Sequence, residues 1–327
     1  MKRVLIAGGY GLVGGWIARN LRAAGHDFDI VLGGRNPANG DALAEEIGAT
    51  SVFLDTDEPL SCSSAMSSVD LVISALQDPN DLLLRCALKN EAAHIGIVRK
   101  VDNVGPTLIC IADLAGKPAM VMGHWQAGVA TLAALATARQ FDKVEKVEIA
   151  ALFDPTDESG PMTAKDRGGF FSPALMRCSG QWERVDPATH VRVVDRLGQE
   201  PFQAQPMGSL DVPAIHGMTD AAYVRFDIGL GESIGTTAGS RASHEIYIDM
   251  SGTNSSAEPM TRRTLVSSPQ GQAFLTSLGV LIAVERLFGL DGMPPLTGGL
   301  VMPELAIDAG MAMKRLEDFG IVVDGLS

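Results

Sequence analysis

Short apolar runs alternate with amphipathic stretches over residues 1–125 of the chain. "RVLIAG", "DIVLGG", "TSVFLD", "DLVISAL", "HIGIV" and "PAMVMG" show little apolar–polar alternation, which predicts strands buried on both faces. Between them "LVGGWIARNLRAAG", "NGDALAEEIG" and "PNDLLLRCALKNEA" carry helical periodicity. Strand–helix repetition of this kind predicts a parallel, doubly wound sheet with right-handed crossovers.

The pattern then changes. An alanine-rich helix, "GVATLAALATARQF", is followed by "KVEKVEIAALFD", "HVRVVDRLG", "AYVRFDIGLG" and "HEIYIDMSG", which alternate as antiparallel strands do. Their loops are rich in Pro, Gly and Asp, and the longest, "DPTDESGPMTAKDRGGFFSP", is a candidate lid or substrate loop. The last third returns to helix in "PQGQAFLTSLGVLIAVERLFG" and "MPELAIDAGMAMKRLEDFG". The predicted fold class is α/β: a doubly wound parallel sheet over 1–125 and an α+β domain with a mainly antiparallel sheet over 126–290. A helical segment over 291–327 is expected to pack back on the first domain.

Composition removes several function classes. The chain has 327 residues, enough for two domains, and 39 acidic against 26 basic side chains, a net charge of −13. That excess repels nucleic acid and anionic membrane, where binding begins with basic contacts to phosphate. Cys62, Cys86, Cys110 and Cys178 are scattered, and the six histidines show no HxxxH or HExxH spacing. Free thiols and no metal site are therefore expected. The first apolar run stops at Gly8-Gly9, too short for a signal peptide, and "GVATLAALATA" is short of a membrane span. A cytoplasmic protein is expected.

Gly9-Tyr10-Gly11-Leu12-Val13-Gly14 fits G-x-G-x-x-G between an apolar strand and a helix. Gly9 allows a tight turn, Gly11 lets backbone N–H groups approach a pyrophosphate, and Gly14 brings helix close to strand. The helix start supplies unpaired donors and positive dipole. An NAD site carries an acid at the end of the second strand for the ribose 2′-hydroxyl. Here that zone reads Gly33-Gly34-Arg35-Asn36. A guanidinium there pairs a 2′-phosphate, so NADP(H) is the expected cofactor; the plainer reading of Arg35 is a solvated charge at a helix start. Asp55, after the third strand, either approaches the adenine or serves its own turn.

"VLIAGGYGLVGGWIARNL…DIVLGGRNP" resembles the NADP-binding Rossmann domain of the saccharopine dehydrogenase-like family. "DLVISAL" and its following helix resemble the fourth-strand region. "VMGHWQAGVATLAA" resembles the family's strand–glycine–helix crossing into the second domain, and "LVMPELAIDAGMAMKRLEDFGIVV" its C-terminal ending. The chain departs from the family at Gln77-Asp78-Pro79, at "IGIVRKVDN" and at Ala127-Gly128, which puts the substrate rather than the cofactor in question. The resemblance implies a homodimer and an NADP(H)-dependent oxidoreductase working on a C–N or C=O bond of a small, carboxylate-bearing metabolite.

Ligands of doubly wound sheets sit beyond the carboxyl ends of the strands. That geometry singles out Ala75 and Leu76 as cofactor neighbours with Gly34, and Lys100 or His124 as proton donor. Arg99, Asp102, Gln126 and Arg167 are the candidate substrate contacts, the arginines as carboxylate clamps. The bland readings are surface charges for Arg99 and Lys100, a solvated loop for Arg167, and a cap of the domain crossing for His124. Short-chain dehydrogenases are disfavoured, because no tyrosine is followed four residues on by lysine. A non-catalytic NADP(H) sensor is the remaining alternative.

Overall fold

A computed structural model of the chain describes residues 1–97, 104–112, 116–160 and 172–326. It divides into two compact units, Met1–Gly123 with Thr276–Ala306, and His124–Leu275 with Ile307–Ser327.

The first unit is built on β1 (Lys2–Ala7), β2 (Phe28–Gly34), β3 (Thr50–Phe53), β4 (Leu71–Ser74), β5 (Ala93–Gly96) and β6 (Pro118–Val121). With the strand Gly299–Val301 they form one parallel sheet, in the order Gly299–Val301, β6, β5, β4, β1, β2, β3. Every residue of β4, β5 and β6 is buried, which is why these segments read as continuous apolar runs. The connecting helices include α1 (Leu12–Ala23), α2 (Asp41–Ile47), α3 (Pro59–Ala65), α4 (Leu82–Lys89) and α5 (Val104–Ala112). The Asp78 carboxylate accepts the N–H groups of Leu82, Leu83 and Leu84 at 2.8–3.4 Å. The departure at Gln77-Asp78-Pro79 thus supplies the cap of α4.

In the second unit α6 (Val129–Ala138) precedes β7 (Lys143–Phe153), β8 (Ala174–Cys178), β9 (Gln181–Val185), β10 (Arg192–Arg196) and β11 (Gln199–Pro206). Then follow α7 (Asp211–Thr219), β12 (Tyr223–Leu230), α8 (Ile234–Thr237), β13 (His244–Thr253) and β14 (Pro259–Ser268). The sheet is mixed. Most pairings are antiparallel, as the alternation predicted, but β7 and β12 run parallel, because β8 to β11 and α7 intervene and return the chain in the same direction. Val147, Ile149, Val224, Phe226, Ile246 and Ile248 are buried on one face. On the other, register aligns Arg225, Glu148, Asp249 and Arg263 in one row.

The C-terminal third departs from expectation. Helix α9 (Gln272–Phe288) belongs from Thr276 onward to the first unit, where Asn20 donates to Ser277 Oγ at 2.7 Å and His26 pairs with Glu285 at 2.8 Å. The boundary expected at 290 therefore falls earlier. After β15 (Gly299–Val301) and α10 (Pro303–Ala306), the chain enters the second unit with α11 (Ala309–Asp318) and β16 (Val322–Asp324). Strand β16 pairs with β14; of the segment expected as one piece over 291–327, the part up to Ala306 clusters with the first unit and the part from Ile307 with the second. No helix among the described residues is long and apolar enough to cross a membrane.

Candidate dinucleotide site

The glycine turn is shaped by space more than by torsion. The left-handed residue of the turn is Gly8, at φ +80°, just before the motif's first glycine; its N–H donates to Gly33 O at 2.8 Å. Gly9 must lack a Cβ because one would lie 2.8 Å from Ile6 O and 2.9 Å from the Leu32 Cα. A Cβ on Gly14 would overlap the Gly8 carbonyl oxygen and approach the Gly9 Cα to 2.9 Å. Helix α1 is thereby pressed onto the strand end.

The first bond of that helix runs from Gly15 N–H to Gly11 O at 2.7 Å. The N–H groups of Leu12, Val13 and Gly14 precede it and have no place in the helical ladder. Gly11, the N-cap, is exposed and contributes no side-chain acceptor. Three donors outside the ladder thus stand at the positive end of a 12-residue helix, which suits a pyrophosphate. Ala75, whose N–H donates to Ala7 O at 2.9 Å, closes the other side: its carbonyl and the Leu76 Cβ lie 3.1 and 3.6 Å from where a Cβ of Gly8 would stand.

At the end of β2, Gly34 is buried and Arg35 exposed. Among the described residues no acid lies within ion-pair distance of Arg35. The Tyr10 ring lies over this strand end, and its Oη accepts the Asn36 N–H at 2.9 Å. Asp55 is engaged in its own turn: Oδ1 accepts the Asp57 N–H at 3.0 Å, and its carbonyl accepts from Ser61 Oγ at 3.0 Å. The geometry therefore brings together Gly9, Tyr10, Gly11, Leu12, Val13, Gly14, Gly34, Arg35, Ala75 and Leu76. Arg99, Lys100, Asp102 and Arg167 lie outside the described residues.

His124 and Gln126 open the second unit, both buried. Gln126, Ala127 and Gly128 are all left-handed, at φ +52°, +49° and +89°, at about 1 kcal/mol each for the two side-chain-bearing residues. Two residues that sequence reasoning missed hold this turn. Asp211, fully buried, accepts the Trp125 N–H at 2.8 Å, the Thr131 hydroxyl at 2.6 Å and the Ser209 hydroxyl. His244 accepts the Trp125 indole N–H at 3.1 Å, with the Gln126 side-chain amide also 3.1 Å away. An indole only donates, so Nε2 of His244 carries no proton. Burial pushes this imidazole down to about 4, against a hydrogen bond to the Leu152 backbone. In the first unit Ser74 Oγ and His94 Nε2 form another buried pair at 2.8 Å; nothing local in "DLVISAL" or "HIGIV" signalled it.

No family model matches the sequence, and no curated protein matches it. Solved structures do. Apo histidine-tagged saccharopine dehydrogenase (L-Glu forming) from Saccharomyces cerevisiae superposes with a TM-score of 0.76 at 15% identity, covering 99% of both chains. Scyllo-inositol dehydrogenase from Lactobacillus casei, solved with NAD(H) and scyllo-inositol, gives 0.52 at 12% identity, again over 99% of both. The chain has a saccharopine dehydrogenase-like fold.

Proposed function

We propose that the chain is an NADP(H)-dependent oxidoreductase of the saccharopine dehydrogenase type. It would act on a C–N or C=O bond of a small, carboxylate-bearing metabolite. The observation that carries the reading is the cradle at the start of α1. Three backbone donors stand outside the helical ladder, and Gly14 is packed where no side chain fits. Dehydrogenases among the solved structures of like fold support the reaction class.

The residues fit a dinucleotide. Leu12, Val13 and Gly14 would hold its pyrophosphate through backbone N–H groups, and Arg35 its 2′-phosphate through a bidentate guanidinium. Ala75 and Leu76 would flank it. The bound cofactor supplies or accepts a hydride. The chain must then hold the substrate and move one proton at its amine or alcohol, for which Lys100 and His124 are the candidates. Gln126, Arg99, Asp102 and Arg167 are the proposed substrate contacts. A cytoplasmic location and a homodimer belong to the same proposal; sedimentation reads the second, and cell fractionation the first.

The test is direct. NADPH and NADH are titrated into the wild type and Arg35→Ala at one salt concentration, followed by NADPH oxidation with keto acids and amines offered together. Binding of NADPH about tenfold tighter, about 1.4 kcal/mol, with turnover on one member of the panel, supports the reading. Binding without turnover on any member would make the chain a nucleotide sensor. No binding of either nucleotide removes both.

A further inference from the structure

We infer that Tyr10 selects the 2′-phosphorylated nucleotide, by shaping the Arg35–Asn36 turn and donating its hydroxyl hydrogen to the 2′-phosphate. The inference rests on the NADP(H) reading above and deepens it.

Tyr10 stands at a position of G-x-G-x-x-G that the motif leaves open. Its side chain does not follow the pyrophosphate donors but lies across the end of β2. A Cβ on Gly34 would come within 2.5 Å of the Tyr10 Cζ, and one on Gly40 within 2.7 Å of its Cδ1 and 2.6 Å of Ser51 Oγ. Gly34 and Gly40 are thus the two places where the absence of a side chain admits the phenol ring. "GGRNPANG" is built around a residue 24 positions earlier than Gly34.

The ring's hydroxyl then accepts the Asn36 N–H at 2.9 Å. Asn36 is the N-cap of the single turn Pro37–Gly40, with Asn39 N–H returning to its carbonyl at 3.0 Å. The bond therefore fixes the peptide that follows Arg35. A phenol both accepts and donates. Its acceptor side is used by Asn36, and the hydroxyl of this half-buried residue keeps its hydrogen for an acceptor beside Arg35. In dinucleotide-binding sheets the ribose 2′ group lies at this strand end. A 2′-phosphate offers three charged oxygens and gains charge-assisted bonds from both the hydroxyl and the guanidinium. A bare 2′-hydroxyl gains little from either, so the arrangement discriminates rather than merely binds.

The experiment compares Tyr10→Phe and Arg35→Ala with wild type. Dissociation constants are measured for NADPH, NADH, 2′,5′-ADP and 5′-AMP, and melting temperature without ligand is followed alongside. Phenylalanine keeps the ring between Gly34 and Gly40, so the fold should persist and the melting temperature stay close to wild type. NADPH and 2′,5′-ADP should weaken about tenfold or more, as when a hydrogen bond to a charged group is lost. NADH and 5′-AMP should stay within about twofold of wild type, since a neutral 2′-hydroxyl gains little from that bond. Equal weakening of all four ligands would make Tyr10 a brace for the whole turn and overturn the inference. Unchanged binding of NADPH would overturn it as well. If wild type itself shows no preference for the 2′-phosphorylated ligands and Arg35→Ala changes nothing, the NADP(H) reading fails, and this inference with it.

Discussion

The indole N–H of Trp125 donates to Nε2 of His244, 119 residues further along the chain, at 3.1 Å. That bond requires a neutral imidazole, and burial keeps it neutral by pushing the group from 6.5 down to about 4. A histidine that charges more readily when unfolded lends stability that is full above about pH 6.5. That stability is lost as pH falls toward 4, about 3 kcal/mol over the window. His244→Phe should lower stability at pH 7 by about 1–3 kcal/mol, because a phenyl ring leaves the buried indole donor without its acceptor. It should also flatten the loss between pH 6.5 and 4. Denaturant unfolding across that range reads both, and parallel profiles for wild type and variant would show that His244 does not titrate there.

Adjacent glycines in α1 separate packing from helix propensity. A Cβ on Gly14 overlaps the Gly8 carbonyl, whereas one on Gly15 meets only the flexible Arg19 Nη1 at 3.4 Å and Leu43 Cδ2 at 3.6 Å. Gly14→Ala should abolish nucleotide binding and cost about 1–3 kcal/mol, because the helix must back away from the strand. Gly15→Ala should bind normally and gain about 0.5–1 kcal/mol from helix propensity. Melting curves with and without NADPH distinguish the two, and equal behaviour would refute the close-packing account.

These cases show where sequence was readable. Strands such as Leu71–Ser74 were legible because burial on both faces leaves an unbroken apolar run. The glycine turn was legible because its parts lie within a few residues of each other. The hairpin of β8 and β9 has a local sign in Ser179 and Gly180, at φ +47° and +77°, the two-residue turn that such a hairpin demands, but β9 carries too few apolar residues to stand out. The parallel pairing of β7 with β12 had no local sign, since direction there depends on everything between them. Asp211 and His244 were invisible for the same reason: each acts on Trp125 from 86 or 119 residues away. Tyr10 belongs to the turn by its position, yet its role depends on Gly34, Asn36 and Gly40.

The charged face of the second sheet contains a buried carboxylate shared by two arginines. Asp227 is fully buried and takes Arg192 Nε at 2.6 Å on one oxygen and Arg225 Nη2 at 2.6 Å on the other. Removing it strands the Arg225 guanidinium in a low-dielectric setting and leaves Arg192 only Asp249, at 4.0 Å, so Asp227→Ala should cost about 3 kcal/mol. Replacing all three by apolar residues should cost much less, because no unpaired charge remains. Urea unfolding of the single and triple variants tests this; a triple variant as unstable as the single one would mean that the ion pairs themselves stabilise the sheet.

Asp157 runs opposite to His244. Burial pushes its carboxyl from 3.8 up to about 6, with Asp154 raising it further and Arg241 lowering it. Asp154 is held low by bonds from Thr156, Ser233 and Thr236 that outweigh its burial, so it stays charged beside Asp157. The Asp157 side chain is wedged against Gly271, at φ +84°, and Oδ2 accepts the Gln272 N–H at 2.8 Å. A carboxyl whose folded value exceeds its unfolded one contributes stability that is full below about 3.8 and lost as pH rises through about 6. Above that, a buried carboxylate is ionised at a cost of about 1–2 kcal/mol once solvent screening is allowed for. Asparagine keeps an acceptor for Gln272 and cannot ionise. Asp157→Asn should therefore raise the melting temperature at pH 8 and leave it nearly unchanged at pH 4.5. A variant less stable than wild type at pH 8 would mean that the charge itself serves the start of α9, and that the helix N-terminus outweighs the burial.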